Sequence, residues 1–259
     1  MNISIHNEDC FVTMGNMPPQ YVDLILTSPF YNTNKKSGST RTLNNTITRS
    51  GEYSYVRYDM HIDSMTNEEY CKFTSDLFYE FDRILKPNGV ILYNLSYGNE
   101  NTDGMFRAVN TIITETPFTI ADVITWKKSN ALPNNCSTNR LTRITEFIFV
   151  LCRKTETKTF NCNKRVTSVR KTGQKMYENI FNFIEAKNND GPCPYNKATF
   201  SSDLCLKLLN TYVTNKDAII YDPFIGSGTT AVACQKLGLS CIGSEISTQQ
   251  CEFAINRLN

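Results

Sequence analysis

No stretch of this 259-residue chain approaches the ~18 consecutive apolar residues that a bilayer-spanning helix needs, so no membrane partner is expected. The segment Met1 to His6 carries neither a basic nor an apolar leader, which argues against secretion and for a cytoplasmic protein. Ten cysteines are present, yet none forms a C-x-x-C pair, so the spacing speaks against zinc or a disulfide framework and for a reducing compartment. No metal site is expected. The net charge of +2 is too small to name a polyanionic partner by itself. Acids are missing altogether from Leu24 to Gly51, where Lys35, Lys36, Arg41 and Arg49 occur, and no internal repeat is found.

What is present is an alternation of apolar runs and amphipathic segments. Val22 to Leu26 is a buried-strand pattern stopped by Ser28-Pro29, and Val90 to Asn94, Ile120 to Trp126, Phe147 to Leu151, Ala218 to Tyr221 and Cys241 to Gly243 read the same way. From Asn67, Tyr70, Phe73, Leu77, Phe81 and Leu85 recur at helical spacing, and Met105 to Ile113 and the run through Leu204, Leu208 and Tyr212 suggest further helices. The alternation predicts an α/β fold with a doubly wound, mostly parallel sheet. Residues 32 to 60 follow neither period and read as a long loop. From Lys154 to Lys175 there are seven Lys or Arg against one Glu, and the apolar pattern thins. The expected organisation is therefore 1–152, a small appendage at 153–195, and 196–259 completing the same domain.

The segment DPFIGSGTT, Asp222 to Thr230, lies between a strand pattern and the helical pattern Ala231, Val232, Cys234. Such a βα turn lets glycine backbone approach a ligand closely, and Glu245 at the end of the next strand can accept hydrogen bonds from two ribose hydroxyls. A nucleoside-containing ligand is expected. A phosphate loop would need Gly-Lys before its Ser or Thr, whereas Thr229 follows Gly228. Asp222, placed at the mouth, would repel phosphate and suit a cationic ligand. A purely structural turn is the bland alternative.

Upstream stands TSPFYN, Thr27 to Asn32. It resembles the Ser/Asp-Pro-Pro-Tyr/Phe motif of the amino-methylating DNA methyltransferases, with Phe30 in place of the second proline, and DPFIGSGTT is similar to their S-adenosylmethionine motif. The order, catalytic motif first, is that of the family's beta group, and ILKPNGVILYNLS, ITWKKSNALPNN and RITEFIFVLCRK also resemble it. The resemblance implies a Rossmann-like methyltransferase fold whose appendage recognises the target, and S-adenosyl-L-methionine as cofactor. It implies Ser28, Pro29, Phe30 and Tyr31 as catalytic residues. The Ser28 hydroxyl and Pro29 carbonyl would accept the amino hydrogens of a flipped base, and Phe30 or Tyr31 would stack on it. It implies Asp9 against the cofactor adenine, with Asp222, Pro223, Phe224, Gly226, Ser227, Gly228, Thr229 and Glu245 completing the cofactor site.

Serine at the first motif position resembles the cytosine-N4 enzymes, and aspartate is usual in the adenine-N6 enzymes, so N4-cytosine methylation is favoured and N6-adenine methylation is the alternative. Other readings are a catalytically silent DNA-binding subunit that keeps the scaffold, and methylation of RNA or of a protein glutamine. Pro192-Cys193 carries the pair that cytosine-C5 enzymes use, but it lies outside the expected order and reads as a loop cysteine. Double-stranded DNA is the expected partner, with Lys35, Lys36, Arg41, Arg49, Lys164, Arg165, Arg170 and Lys171 facing its phosphates or forming a solvated basic surface. A homodimer and a cognate restriction endonuclease are further candidate partners, and a bacterial, archaeal or viral origin fits the family.

Overall fold

The computed structural model describes residues 1–32, 65–98, 101–131, 138–196 and 199–259. The chain opens with β1 (Ile3–His6), α1 (Cys10–Gly15) and β2 (Val22–Thr27), then α2 (Asn67–Ile84), β3 (Leu85–Leu95), α3 (Gly104–Glu115), β4 (Phe118–Lys128) and β5 (Thr145–Arg153). After β6 (Val166–Val169), β7 (Lys175–Tyr177) and β8 (Phe183–Ala186) come α4 (Ser202–Tyr212), β9 (Ile219–Asp222), α5 (Thr229–Leu237), β10 (Ser240–Ser244) and α6 (Thr248–Asn256).

Eight strands form one sheet in the order β1-β10-β9-β2-β3-β5-β4-β8. β1, β10, β9, β2 and β3 run parallel, β5 is antiparallel to both its neighbours, and β8 lies parallel to β4. The apolar runs are continuous because both faces are covered. Leu24, Leu26, Val90 and Leu92 point to the side of α4 and α5, where Leu204, Leu208 and Ala231 meet them. Ile25, Ile91 and Tyr93 point to the opposite side and pack with Met14 of α1, Leu77 and Phe81 of α2 and Ile112 of α3. The doubly wound, mostly parallel sheet expected from the sequence is present.

Helix α2 begins where Thr66 and Glu69 form a reciprocal cap, the Glu69 amide donating to Thr66 Oγ1 at 3.1 Å and the Thr66 amide to Glu69 Oε2 at 2.9 Å. It ends at Ile84, and the following strand starts at once rather than at Val90. Pro87-Asn88-Gly89 bulges out of β3, since Val22 pairs with Leu85 while Leu24 already pairs with Val90. Asn88 takes a positive φ of 60° there, and a side chain on Gly89 would sit 2.6 Å from Leu85 Cγ.

Residues 153–195 are divided between two roles. Val166 to Tyr177 form an exposed two-stranded ribbon, whereas β8 is the edge of the main sheet, pairing Phe183 to Ala186 with Thr125 to Lys128. Among the described residues no helix is long and apolar enough to cross a membrane.

Candidate active site

β2 and β9 are neighbours in space, pairing Leu24 with Ile220 and Ile25 with Tyr221, and from them the connections diverge to opposite sides of the sheet. The loops at their carboxyl ends therefore share the crevice in which open α/β sheets bind ligands. That crevice is a cleft lined by Asp9 after β1, Ser28 and Phe30 after β2, Pro223 to Ser227 after β9, and Glu245 after β10. The two motifs, far apart in the chain, thus converge on one cavity.

The glycine turn is shaped by backbone demands. Gly226 and Gly228 take φ of 50° and 80°, which L side chains rarely adopt, and a Cβ at Gly228 would stand 2.8 Å from Ala254 Cβ of α6. Glu245, 9% exposed, accepts the Gly226 amide on Oε2 at 3.0 Å and the Ser247 amide on Oε1 at 2.8 Å. Its carboxylate is held in one orientation on the cleft wall by these amides. Arg257 braces the turn from behind, donating to the Ser227 carbonyl at 2.7 Å while pairing with Asp190 at 2.7 Å.

Asp222 does not stand at the mouth, and with Gly228 it is absent from the lining. It is 1% exposed and accepts from Thr27 Oγ1 at 2.8 Å, Thr230 Oγ1 at 2.6 Å and the Phe224 amide at 3.1 Å. This carboxylate joins the residue before Ser28 to the first turn of α5, so it sets the two loops against each other. Burial pushes its pKa up to about 6, against the pull of those three donors. The charge-repulsion role expected from the sequence gives way to a latch, because the side chain turns into the core between β2 and α5.

Asp9 lines the cleft and also caps α1, its Oδ1 accepting the Phe11 amide at 2.8 Å. Cys10 beside it is an inert wall: burial, and then the Asp9 charge, push its thiol up to about 12. Phe30 is 6% exposed and sits among Tyr70, Phe73 and Phe224, with ring centroids 5.2 to 6.3 Å away, which fixes its plane between α2 and the glycine turn. Pro29 and Tyr31 are buried behind the cleft surface. Cys193 is buried and lies off the cleft.

Two residues that the sequence reading did not single out stand next to Ser28. Asn94, at the end of β3, and Glu146, at the start of β5, meet the Tyr31 hydroxyl, which in turn lies 2.8 Å from Ser28 Oγ. Lys128 of β4 pairs with the other oxygen of Glu146 at 2.5 Å and lies over the Trp126 ring. A signal was available: Glu146 is an acid and Asn94 an amide inside otherwise apolar strand runs, and buried polar groups of that kind need partners.

Of the basic candidates, Lys164, Arg165, Arg170 and Lys171 lie on or beside the exposed ribbon, but Arg165 is paired with Glu178 at 2.9 Å. Lys35, Lys36, Arg41 and Arg49 lie outside the described residues.

Comparison with known proteins agrees with this geometry. The DNA methylase (N6/N4 methyltransferase) family profile matches residues 22–256. A relative from Lactococcus lactis subsp. cremoris, the type II methyltransferase M2.LlaDCHI, is 30% identical over 68% of this chain, and the match spans 62% of that protein. The type II methyltransferase M2.DpnII of Streptococcus pneumoniae is 27% identical over 99% of this chain and 89% of its own length. In fold, the chain is similar to the cytosine-N4-specific PvuII DNA methyltransferase, with a TM-score of 0.70 at 16% identity over 99% of this chain and 86% of that one. It is also similar to M1.HpyAVI solved with S-adenosylmethionine, with a TM-score of 0.64 at 22% identity over 99% of both chains. With its catalytic-type loop, glycine turn and spaced glutamate on one cleft, and a family match across nearly its whole length, this chain belongs to the DNA methylase family.

Proposed function

We propose that this protein is an S-adenosylmethionine-dependent DNA methyltransferase that modifies an exocyclic amino group, N4 of cytosine, on a base turned out of the duplex. The observation that carries the reading is the placement of Ser28 and Glu245 on the same cleft, with the Gly226 turn between them. The residues fit the cofactor: Glu245 suits a ribose diol, Gly226 leaves room for close backbone approach, and Asp9, the acid that the family pattern sets against adenine, lines the same cleft. When bound, the cofactor supplies an electrophilic methyl group.

The chain's own residues do the rest. An exocyclic amino nitrogen is a weak nucleophile because its lone pair is delocalised into the ring. Acceptors that take its hydrogens localise that pair, and Ser28 Oγ, on the cleft wall, fills this role. Phe30, fixed by its aromatic neighbours, covers the base and offsets part of an extrusion cost of a few kcal/mol. Serine at this position favours cytosine N4, as in the family pattern.

The test is incubation with cofactor tritiated in the methyl group and varied duplexes, followed by nucleoside analysis. Label in N4-methylcytosine is expected. Label in N6-methyladenine would move the target base, and absence of label in both would overturn the reading.

Two further outcomes follow from the assigned roles. Glu245→Ala should raise the cofactor Kd about tenfold or more in calorimetry, since a charge-assisted acceptor is worth ~1.5–3 kcal/mol; an unchanged Kd would remove the ribose role. Replacing Lys164, Arg170 and Lys171 together by Ala should weaken binding to all duplexes alike. If all three contact phosphates, the salt dependence should become shallower by ~2–3 in log–log slope. An unaltered slope would assign these residues to a solvated surface.

A further inference from the structure

The group around Ser28 has a hydrogen inventory that fixes its polarity. Tyr31 Oη donates to Glu146 Oε2 at 3.0 Å, and a carboxylate can only accept. Asn94 Nδ2 lies 2.5 Å from Tyr31 Oη, 3.0 Å from Glu146 Oε2 and 3.2 Å from Ser28 Oγ. The nearby carboxylate holds the nitrogen, and not the oxygen, of the Asn94 amide on this side. The single hydrogen of Tyr31 is therefore committed to Glu146. In the 2.8 Å contact between the two hydroxyls, Ser28 is left to be the donor.

That polarity bears on the chemistry. A serine that gives its hydrogen inward presents oxygen lone pairs outward, and Ser28 lines the cleft. Glu146 is set in place by Lys128, with side chains only 13% and 20% exposed, so the inner end of the chain is anchored and close to solvent at once.

Resting on the methyl-transfer reading above, we infer that Glu146 is a positioning residue that acts through Tyr31 to hold Ser28 as an acceptor, and that it takes up the proton released by the target amine. As the amino nitrogen bonds to the methyl carbon, the carbon–sulfur bond breaks and its pair stays on sulfur, leaving a neutral thioether. The nitrogen, now positive, gives one proton to Ser28 Oγ. Ser28 passes its own proton to Tyr31, and Tyr31 passes its own to Glu146. The product amine is neutral, both hydroxyls are restored, and Glu146 is left protonated until it exchanges with water.

The test compares wild type, Glu146→Gln, Tyr31→Phe and the double variant on methylatable duplex, with cofactor affinity read by calorimetry and folding by thermal melting. General-base steps are worth ~10²–10⁴-fold, so each single variant should lower kcat by about a hundredfold, with cofactor Kd and DNA KM within about twofold. The double variant should be no slower than the slower single by more than about threefold, because both changes interrupt one relay.

Additive losses, or a Glu146→Gln enzyme with wild-type kcat, would overturn the relay alone. Should Glu146→Gln fail to fold, Tyr31→Phe carries the same rate and affinity readouts, and an unaltered kcat there is equally decisive. A folded wild type that labels no DNA would instead overturn the methyl-transfer reading and the relay with it.

Discussion

Ser28→Ala is expected to reduce kcat for DNA methylation by ~10²–10³-fold, the size of effect seen when a single pre-placed hydrogen-bonding group is removed from a reacting centre. Cofactor Kd should stay within about twofold, since Ser28 Oγ belongs to the acceptor end of the cleft and bonds to Tyr31 and Asn94, whereas Glu245 bonds to the amides of Gly226 and Ser247. Single-turnover methylation and calorimetry on the same preparation separate the two effects. Equal losses in rate and cofactor affinity would mean that Ser28 shapes the cleft as a whole. Removing the hydroxyl opens little space, because alanine keeps the Cβ. Folding stability should therefore change by less than ~1 kcal/mol.

The second large effect concerns Asp222. Asp222→Ala would leave the buried Thr27 and Thr230 hydroxyls and the part-buried Phe224 amide without their acceptor. At ~1–3 kcal/mol for each stranded group, the loss is about 4 kcal/mol, a large share of a total stability of ~5–15 kcal/mol. For a chain of this size that is a Tm drop of ~8–16 °C, and a drop below ~3 °C would show that the latch is dispensable.

Asp222→Asn separates charge from shape. The folded pKa of about 6 lies above the ordinary 3.8, so the folded state favours the neutral acid. The stabilisation from this group is complete below the unfolded value and is lost as pH rises from about 4 to about 6. It amounts to roughly 3 kcal/mol at ~1.36 kcal/mol per unit. Relative to Asp222→Asn, wild type should lose that amount between those pH values in denaturant titrations. A constant difference between the two proteins would disprove the ionisation.

Much of this architecture is legible in the residues themselves. Val22 to Leu26 and Val90 to Asn94 declare buried strands because both faces of the sheet are covered, and helix α2 announces itself through Tyr70, Phe73, Leu77 and Phe81 at helical spacing. Ser28, Phe30, Pro223, Gly226 and Glu245, which the motifs single out, lie on one cleft because their loops follow strands of the parallel core.

What escaped the sequence depends on partners distant in the chain. Phe183 to Ala186 is short and mostly uncovered, so no periodicity marks it, and it becomes a strand only by pairing with β4. Asp222 reads as a charged mouth residue until Thr27 is seen 195 positions away, donating to it. The part played by Glu146 was hidden for the same reason, since its meaning comes from Tyr31, 115 positions upstream.

The slot occupied by β9 also has a consequence for how the protein is made. β9 fills the gap between β10 and β2, so the edge of β2 stays bare until the ribosome has delivered Asp222. At ~5–20 residues per second, roughly ten to forty seconds separate the synthesis of Thr27 from that of its buried acceptor. Throughout that interval the nascent chain carries an unpaired, strongly apolar strand border, the kind of template on which other chains aggregate. Expression of fragments ending before Ile219 should accordingly give inclusion bodies, and chaperone supply during translation should govern the yield of the full-length protein.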